Sequence, residues 1–262
     1  MKAILSVLSN RKLIMYLSKN DFKTKYVGSY LGIIWAFIQP VITLLLYWFV
    51  FEVGLRSEGV NDVPFVLWLM AGLIPWFFFS EALVNTSNCF IEYSYLVKKV
   101  VFNITILPIV KVISSIYVHV FFVLLMIVVY GINGYYGRPI FIQLIYYSAC
   151  MVVLVIAIGY FSSAINVFFK DTMQIINVFM QIGMWMTPIL WNQDILPPKL
   201  AMIFKLNPMF YVVQGYRDTM ITNTWFFSHV YSTIYFWAVV LVLLISSKLV
   251  YGRLKPHFSD SL

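Results

Sequence analysis

Long charge-free apolar runs, separated by short polar intervals, dominate this chain. Tyr26 to Phe51, Val63 to Ser80, Val112 to Gly137, Pro139 to Phe169, Thr172 to Gln193 and Thr219 to Ser247 contain no Asp, Glu, Lys or Arg. A helix needs about 20 apolar residues to cross about 30 Å of hydrocarbon. The runs therefore predict six spans, near 31–51, 64–85, 105–132, 145–168, 172–192 and 230–250. Lipid leaves no water to satisfy backbone groups, so a spanning segment must be helical or part of a closed barrel. Apolarity here is continuous rather than alternating, which excludes the barrel. The expected fold is one all-α integral membrane domain over residues 1–262.

Two stretches depart from the spanning pattern. Residues 2–25 interleave six basic side chains with Leu5, Leu8, Leu13 and Leu17. That breaks the compact apolar block of a signal peptide and predicts an amphipathic helix along the membrane surface. Between the fifth and sixth spans, about 192–229, Pro197, Pro198 and Pro208 cut an apolar stretch into pieces too short to cross. Short helices dipping into the outer leaflet and merely interfacial helices are both open readings.

Composition narrows the class. Hydrophobic residues make up 62% and charged residues 11%, where a soluble domain needs about a quarter charged to cover its surface. The net charge of +8 is then a matter of topology rather than nucleic-acid binding. With six spans both ends share one side, and thirteen of the eighteen Lys and Arg fall there, which predicts cytoplasmic termini.

Cys89 and Cys150 are too few for a disulfide framework, and His119, His229 and His257 lack metal-ligand spacing. His119 and His229 read as hydrogen-bonded packing residues. The patterns G-x-x-x-x-G-K-[ST], H-E-x-x-H and G-x-S-x-G do not occur, so no P-loop, zinc-protease or hydrolase signature is present. Glu81 and Lys111 approach the membrane only near its inner end, where partnered carboxylates are commoner than proton carriers.

Ordered motifs then point to a family. Lys19 to Pro40 reads KNDFKTKYVGSYLGIIWAFIQP. It is followed by Tyr47–Phe51 (YWFVF), Val63-Pro64-Phe65, Gly72–Trp76 (GLIPW), Leu96–Val100 (LVKKV), Phe168–Asp171 (FFKD), Thr187–Trp191 (TPILW), Asn207-Pro208-Met209 and Gly215–Asp218 (GYRD). In this order the segments resemble the type-2 ABC transporter permeases that export O-antigen, capsule-like polysaccharide or wall teichoic acid. The resemblance covers residues 19–218. Many relatives carry Phe-Pro where this chain has Phe102-Asn103.

The resemblance implies a six-helix permease subunit without catalysis of its own, which would work as a homodimer. Two copies of a separate ATPase subunit would hold the ATP and magnesium. The cargo would be a polyprenyl-diphosphate-linked glycan or a teichoic-acid-like polymer. The segment about 88–99 would be a short cytoplasmic coupling helix docking the ATPase, offering Asn88, Glu92, Leu96, Lys98 and Lys99; a solvated positive loop is the plainer reading. Lys19, Lys23 and Lys25 are placed either to attract the diphosphate or to anchor in lipid headgroups. Trp35, Phe37, Tyr47, Met184, Trp185 and Trp191 are candidates to line a glycan path, with lipid-facing packing as the alternative. An ion-coupled transporter would instead need midplane ionisable residues, and a glycan-modifying membrane enzyme would need converging polar pairs.

Overall fold

A computed structural model describes residues 9–25, 27–56, 63–98, 103–135, 139–195 and 197–262. Helix α1 (Arg11–Thr24) leads into five helices long and apolar enough to cross a membrane. These are α2 (Gly32–Gly54), α3 (Phe65–Glu92), α5 (Ile104–Ile132), α6 (Pro139–Asn166) and α10 (Phe226–His257). Between them lie the single turn α4 (Ser94–Val97), α7 (Thr172–Met186), α8 (Pro198–Lys205) and α9 (Pro208–Arg217). A last turn, Phe258–Ser261, closes the chain. The structure supports an all-α integral membrane protein; the part of the entry segment that it describes is helical from Arg11.

α3 is the hub. Its side chains are buried from Leu67 to Trp76 and again to Phe90, with α5 and α6 on its flanks and α2, α7 and α9 around it. The sequence places its end near 85, where Asn85-Thr86-Ser87-Asn88 raises the polarity. The helix instead runs to Glu92, because α5 and α6 meet those polar groups. Asn85 Nδ2 donates to Ser115 Oγ at 3.4 Å, the Ser87 and Ser162 hydroxyls lie 2.6 Å apart, and Asn166 Nδ2 donates to the Ser87 carbonyl at 3.1 Å. A buried polar side chain with a partner does not stop a helix. Glu81 consequently lies eleven residues inside α3, about 16 Å from its end at 1.5 Å per residue.

The segment expected as a fifth span is shorter than 172–192. α7 has 15 residues, about 22 Å, and stops where Pro188 forces Thr187 into an extended conformation (φ −100°, ψ 121°). Among the described residues there are thus five helices long and apolar enough to cross a membrane, with the shorter α7 in place of a sixth.

Phe258 packs with Phe90, Val97, Ile104 and Val167, while Ile14 packs with Ile106 and Val110. Both ends of the described chain therefore lie at one end of the bundle. At the other end, the Tyr130 hydroxyl donates to the Leu67 carbonyl (2.7 Å) and the Phe226 amide donates to Gln143 Oε1 (2.7 Å). α7 starts near the termini and α10 starts at the far end, so α7 with α8 and α9 carries the chain across. α9 is buried against α3 and α6, whereas α8 is largely exposed.

Candidate functional site

At the termini end, α1 is fastened to the bundle by a buried charge cluster. Lys111, on the first turns of α5, reaches Asp21 Oδ1 of α1 at 2.6 Å and Glu92 Oε1 at the end of α3 at 2.6 Å. Lys111 and Asp21 side chains are each 6% exposed, and Glu92 is 49% exposed. The Tyr93 hydroxyl donates to the same Asp21 oxygen (2.6 Å), and its ring lies 4.9 Å from the Lys111 ammonium. Burial, then the Asp21 carboxylate, holds the Tyr93 phenol well above its ordinary range. One turn further along α1, Lys25 forms an ion pair with Glu81. Around that pair Trp35, Gln39, Thr43 and Ser80 line a polar cavity of about 350 Å³.

Of the residues proposed for ATPase docking, Asn88 lies within α3 rather than in a separate helix. Glu92 is its last residue and is already committed to Lys111. Leu96 sits in α4, which is a single turn over 94–97 instead of a helix over 88–99. Lys98 follows it and is exposed; Lys99 lies outside the described residues. Lys19 and Lys23 are exposed on α1, and Lys25 faces Glu81. At the Phe102-Asn103 departure, Asn103 Oδ1 accepts from the Thr105 amide (3.2 Å) and caps the turn that opens α5.

The conduit candidates are partly brought together. The Tyr47 hydroxyl approaches Met184 Sδ at 3.9 Å, joining α2 to α7 beside α3. Trp191 donates its indole N–H to the Trp185 carbonyl (3.1 Å) and meets Phe204 edge-on, while the Trp185 side chain is 61% exposed. Phe37 turns away and packs on Phe121 of α5 (4.5 Å). Trp35 belongs to the Lys25–Glu81 cavity instead.

The resemblance motifs converge at a place that sequence reasoning did not single out. Arg217, buried at the end of α9, stacks on the Trp68 ring at 3.6 Å and donates to the Pro188 carbonyl (2.6 Å) and the Ile189 carbonyl (3.1 Å). Gly72 lies against it: a Cβ there would sit 3.0 Å from the guanidinium. Asn207 Nδ2 donates to Thr187 Oγ1 (2.7 Å), and Asn207 Oδ1 caps α9 by accepting from the Met209 amide. The broken backbone after α7 is thereby satisfied by side chains from α9, as a non-helical stretch in an apolar setting requires. The Arg in GYRD, a charged residue in a largely apolar stretch, was the available signal.

Two further polar groups fit the packing roles expected of them. His119 Nε2 lies 3.2 Å from Ser148 Oγ and 3.1 Å from the Tyr216 hydroxyl. His229 Nε2 lies 3.2 Å from Asp218 Oδ2. Burial raises the Asp218 carboxyl's pKa, opposed by the Gln214 hydrogen bond and by His229.

This arrangement defines a multi-pass, all-α membrane protein with an amphipathic helix pinned to one end and a broken-helix segment pinned near the other. The chain belongs to the ABC-2 type transporter family, whose model matches residues 12–221. It is 24% identical over 257 residues to the O-antigen export system permease protein RfbA of Klebsiella pneumoniae, covering 95% of each chain. It is 27% identical over 212 residues to RfbA of Myxococcus xanthus, covering 79% of each. To the polysialic acid transport protein KpsM of Escherichia coli it is 24% identical over 205 residues, covering 76% of this chain and 78% of that one.

Proposed function

We propose that this chain is the membrane-spanning permease subunit of an ABC exporter. It moves a lipid-linked cell-surface polysaccharide, or a teichoic-acid-like polymer, from the cytoplasm outward, and a separate ATPase subunit drives it. The similarity to O-antigen export permeases across 95% of the chain, and to a polysialic acid transport protein across 76% of it, carries this reading. Two permeases pair around the path and two ATPases bind them, with ATP and magnesium held by the ATPases. The termini end is cytoplasmic, supported by thirteen of eighteen basic residues on that side and by the shared position of both chain ends.

In this mechanism the ATPase presses on the 92–99 segment, and Lys111 passes the movement to α1 through Asp21. Lys19, Lys23 and Lys25 draw the diphosphate of the lipid-linked glycan to the surface. Opening the Lys25–Glu81 pair frees the Lys25 ammonium for that anion. The exposed apolar faces of α2 and α7 pair with a second copy, so that Trp185 faces the shared path.

The test is reconstitution in proteoliposomes with the cognate ATPase. ATP-dependent movement of a lipid-linked glycan is expected. Transport by the permease alone, driven by a proton or sodium gradient, would refute the reading.

A further inference from the structure

The far end of the bundle holds a cavity that the export mechanism has not used. α9, the turn Asp218–Thr222 and the starts of α6 and α10 enclose about 150 Å³. Tyr147, Phe210 and Tyr211 supply aromatic surface, while Gln193, Gln214 and Asp218 supply polar groups. We infer that this cavity is a binding site for a single sugar ring of the polymer at the outward end of the bundle. The inference rests on the export reading and deepens it.

Three observations carry it. The first is the pairing of chemistries: a pyranose offers apolar C–H faces, which suit aromatic rings, and a rim of hydroxyls, which suit carboxylate and amide groups. The volume equals about five waters at about 30 Å³ each, a space on the scale of one sugar ring.

The second is an open valence. Gln193 Oε1 is buried and has no hydrogen-bond partner among the described residues. A buried acceptor without a donor is costly, and a sugar hydroxyl is a donor of the right kind. Lys205 and His229 also line the cavity beside Asp218, so groups of both signs face a ligand there.

The third is rigidity. Asp218 Oδ1 accepts from Gln214 Nε2 at 2.9 Å, and Oδ2 faces His229. Gln143, itself buried, ties the turn to α6 by donating to Thr219 Oγ1 (3.0 Å) and the Thr224 carbonyl (3.1 Å) while accepting from the Phe226 amide. The Tyr147 ring seats directly on Gly215 of α9, where a Cβ would come within 2.1 Å of it. Binding groups held this way lose little freedom on meeting a ligand.

The test uses the permease with its ATPase in nanodiscs and reads binding without transport. Saturation-transfer NMR is recorded with methyl glycosides of glucose, galactose, mannose and N-acetylglucosamine. Transfer to the ring protons of at least one is expected, reduced tenfold or more by Gln193→Ala and by Asp218→Asn, and unchanged by Ser246→Ala on the distant part of α10. Ordinary thermal melting of Gln193→Ala keeps the loss from being ascribed to unfolding.

No transfer to any glycoside, or transfer that Gln193→Ala leaves intact, overturns the inference. Transfer to glycerol 3-phosphate in place of the glycosides overturns it in favour of a lipid headgroup. A complex that binds glycoside through Gln193 yet moves no glycan leaves this site standing and removes only the export reading.

Discussion

Replacing Lys111 with Met should release α1 from the bundle. Lys111 and Asp21 are almost wholly buried, and the substitution leaves the Asp21 carboxylate enclosed with only the Tyr93 hydroxyl to satisfy it. Breaking a buried pair by removing one partner costs about 3–5 kcal/mol. At about 1.4 kcal/mol per tenfold, this raises the population of detached α1 by about 10² to 4 × 10³-fold. What still holds α1 is Ile14 and Leu17 against Ile106 and Val110, Phe22 against Tyr117, and the partly exposed Lys25–Glu81 ion pair, worth at most about 1 kcal/mol.

A cysteine at Ser18, which is fully buried on the bundle side of α1, reports the detachment. Both native cysteines are buried, so maleimide labelling reads position 18 alone. In the Ser18→Cys background, Lys111→Met should speed labelling by about 10² to 4 × 10³-fold. Adding Asp21→Asn should recover most of the protection, because Glu92 is half exposed and can be hydrated. Equal labelling rates with and without Lys111 would show that the apolar contacts alone hold α1, and the reasoning would fail.

Other outcomes are equally direct. Arg217→Met should lower the melting temperature and abolish export, since two buried carbonyls lose their donor at about 1–3 kcal/mol each. Arg217→Lys should not rescue it, because an ammonium cannot stack flat on Trp68 while bridging two acceptors. Gly215→Ala should destabilise by about 1–3 kcal/mol through the clash with Tyr147, and Tyr147→Leu in the same chain should recover part of the loss in a melting assay. Glu81→Gln should leave the melting temperature nearly unchanged, because the Lys25–Glu81 pair is partly exposed and worth at most about 1 kcal/mol. Export velocity should nonetheless change if Lys25 meets the diphosphate.

Much of the architecture was legible in the order of the residues. Water and lipid act on each segment independently, so a charge-free run such as Val112 to Gly137 declares itself a span without reference to any other part of the chain. The same holds for the entry helix, whereas the break at Pro188, which ends α7 short of the expected span, was not read from the sequence. Family membership was likewise carried by local motifs in a fixed order. The candidate sites were less legible. Lys98 and Lys19 could be placed at a surface, but nothing local shows that Glu92 is held by Lys111 or that Lys25 meets Glu81, 56 positions away.

The sequence by itself determined that this protein lives in a membrane and which segments are apolar enough to cross it. Tertiary structure alone decided how deep Glu81 lies, where α3 ends, which cation clasps α1, and that TPILW, GLIPW and GYRD meet at Arg217. The division has a physical cause. Partition between water and lipid is a property of each segment, whereas satisfying a buried polar group depends on which distant helix happens to stand beside it.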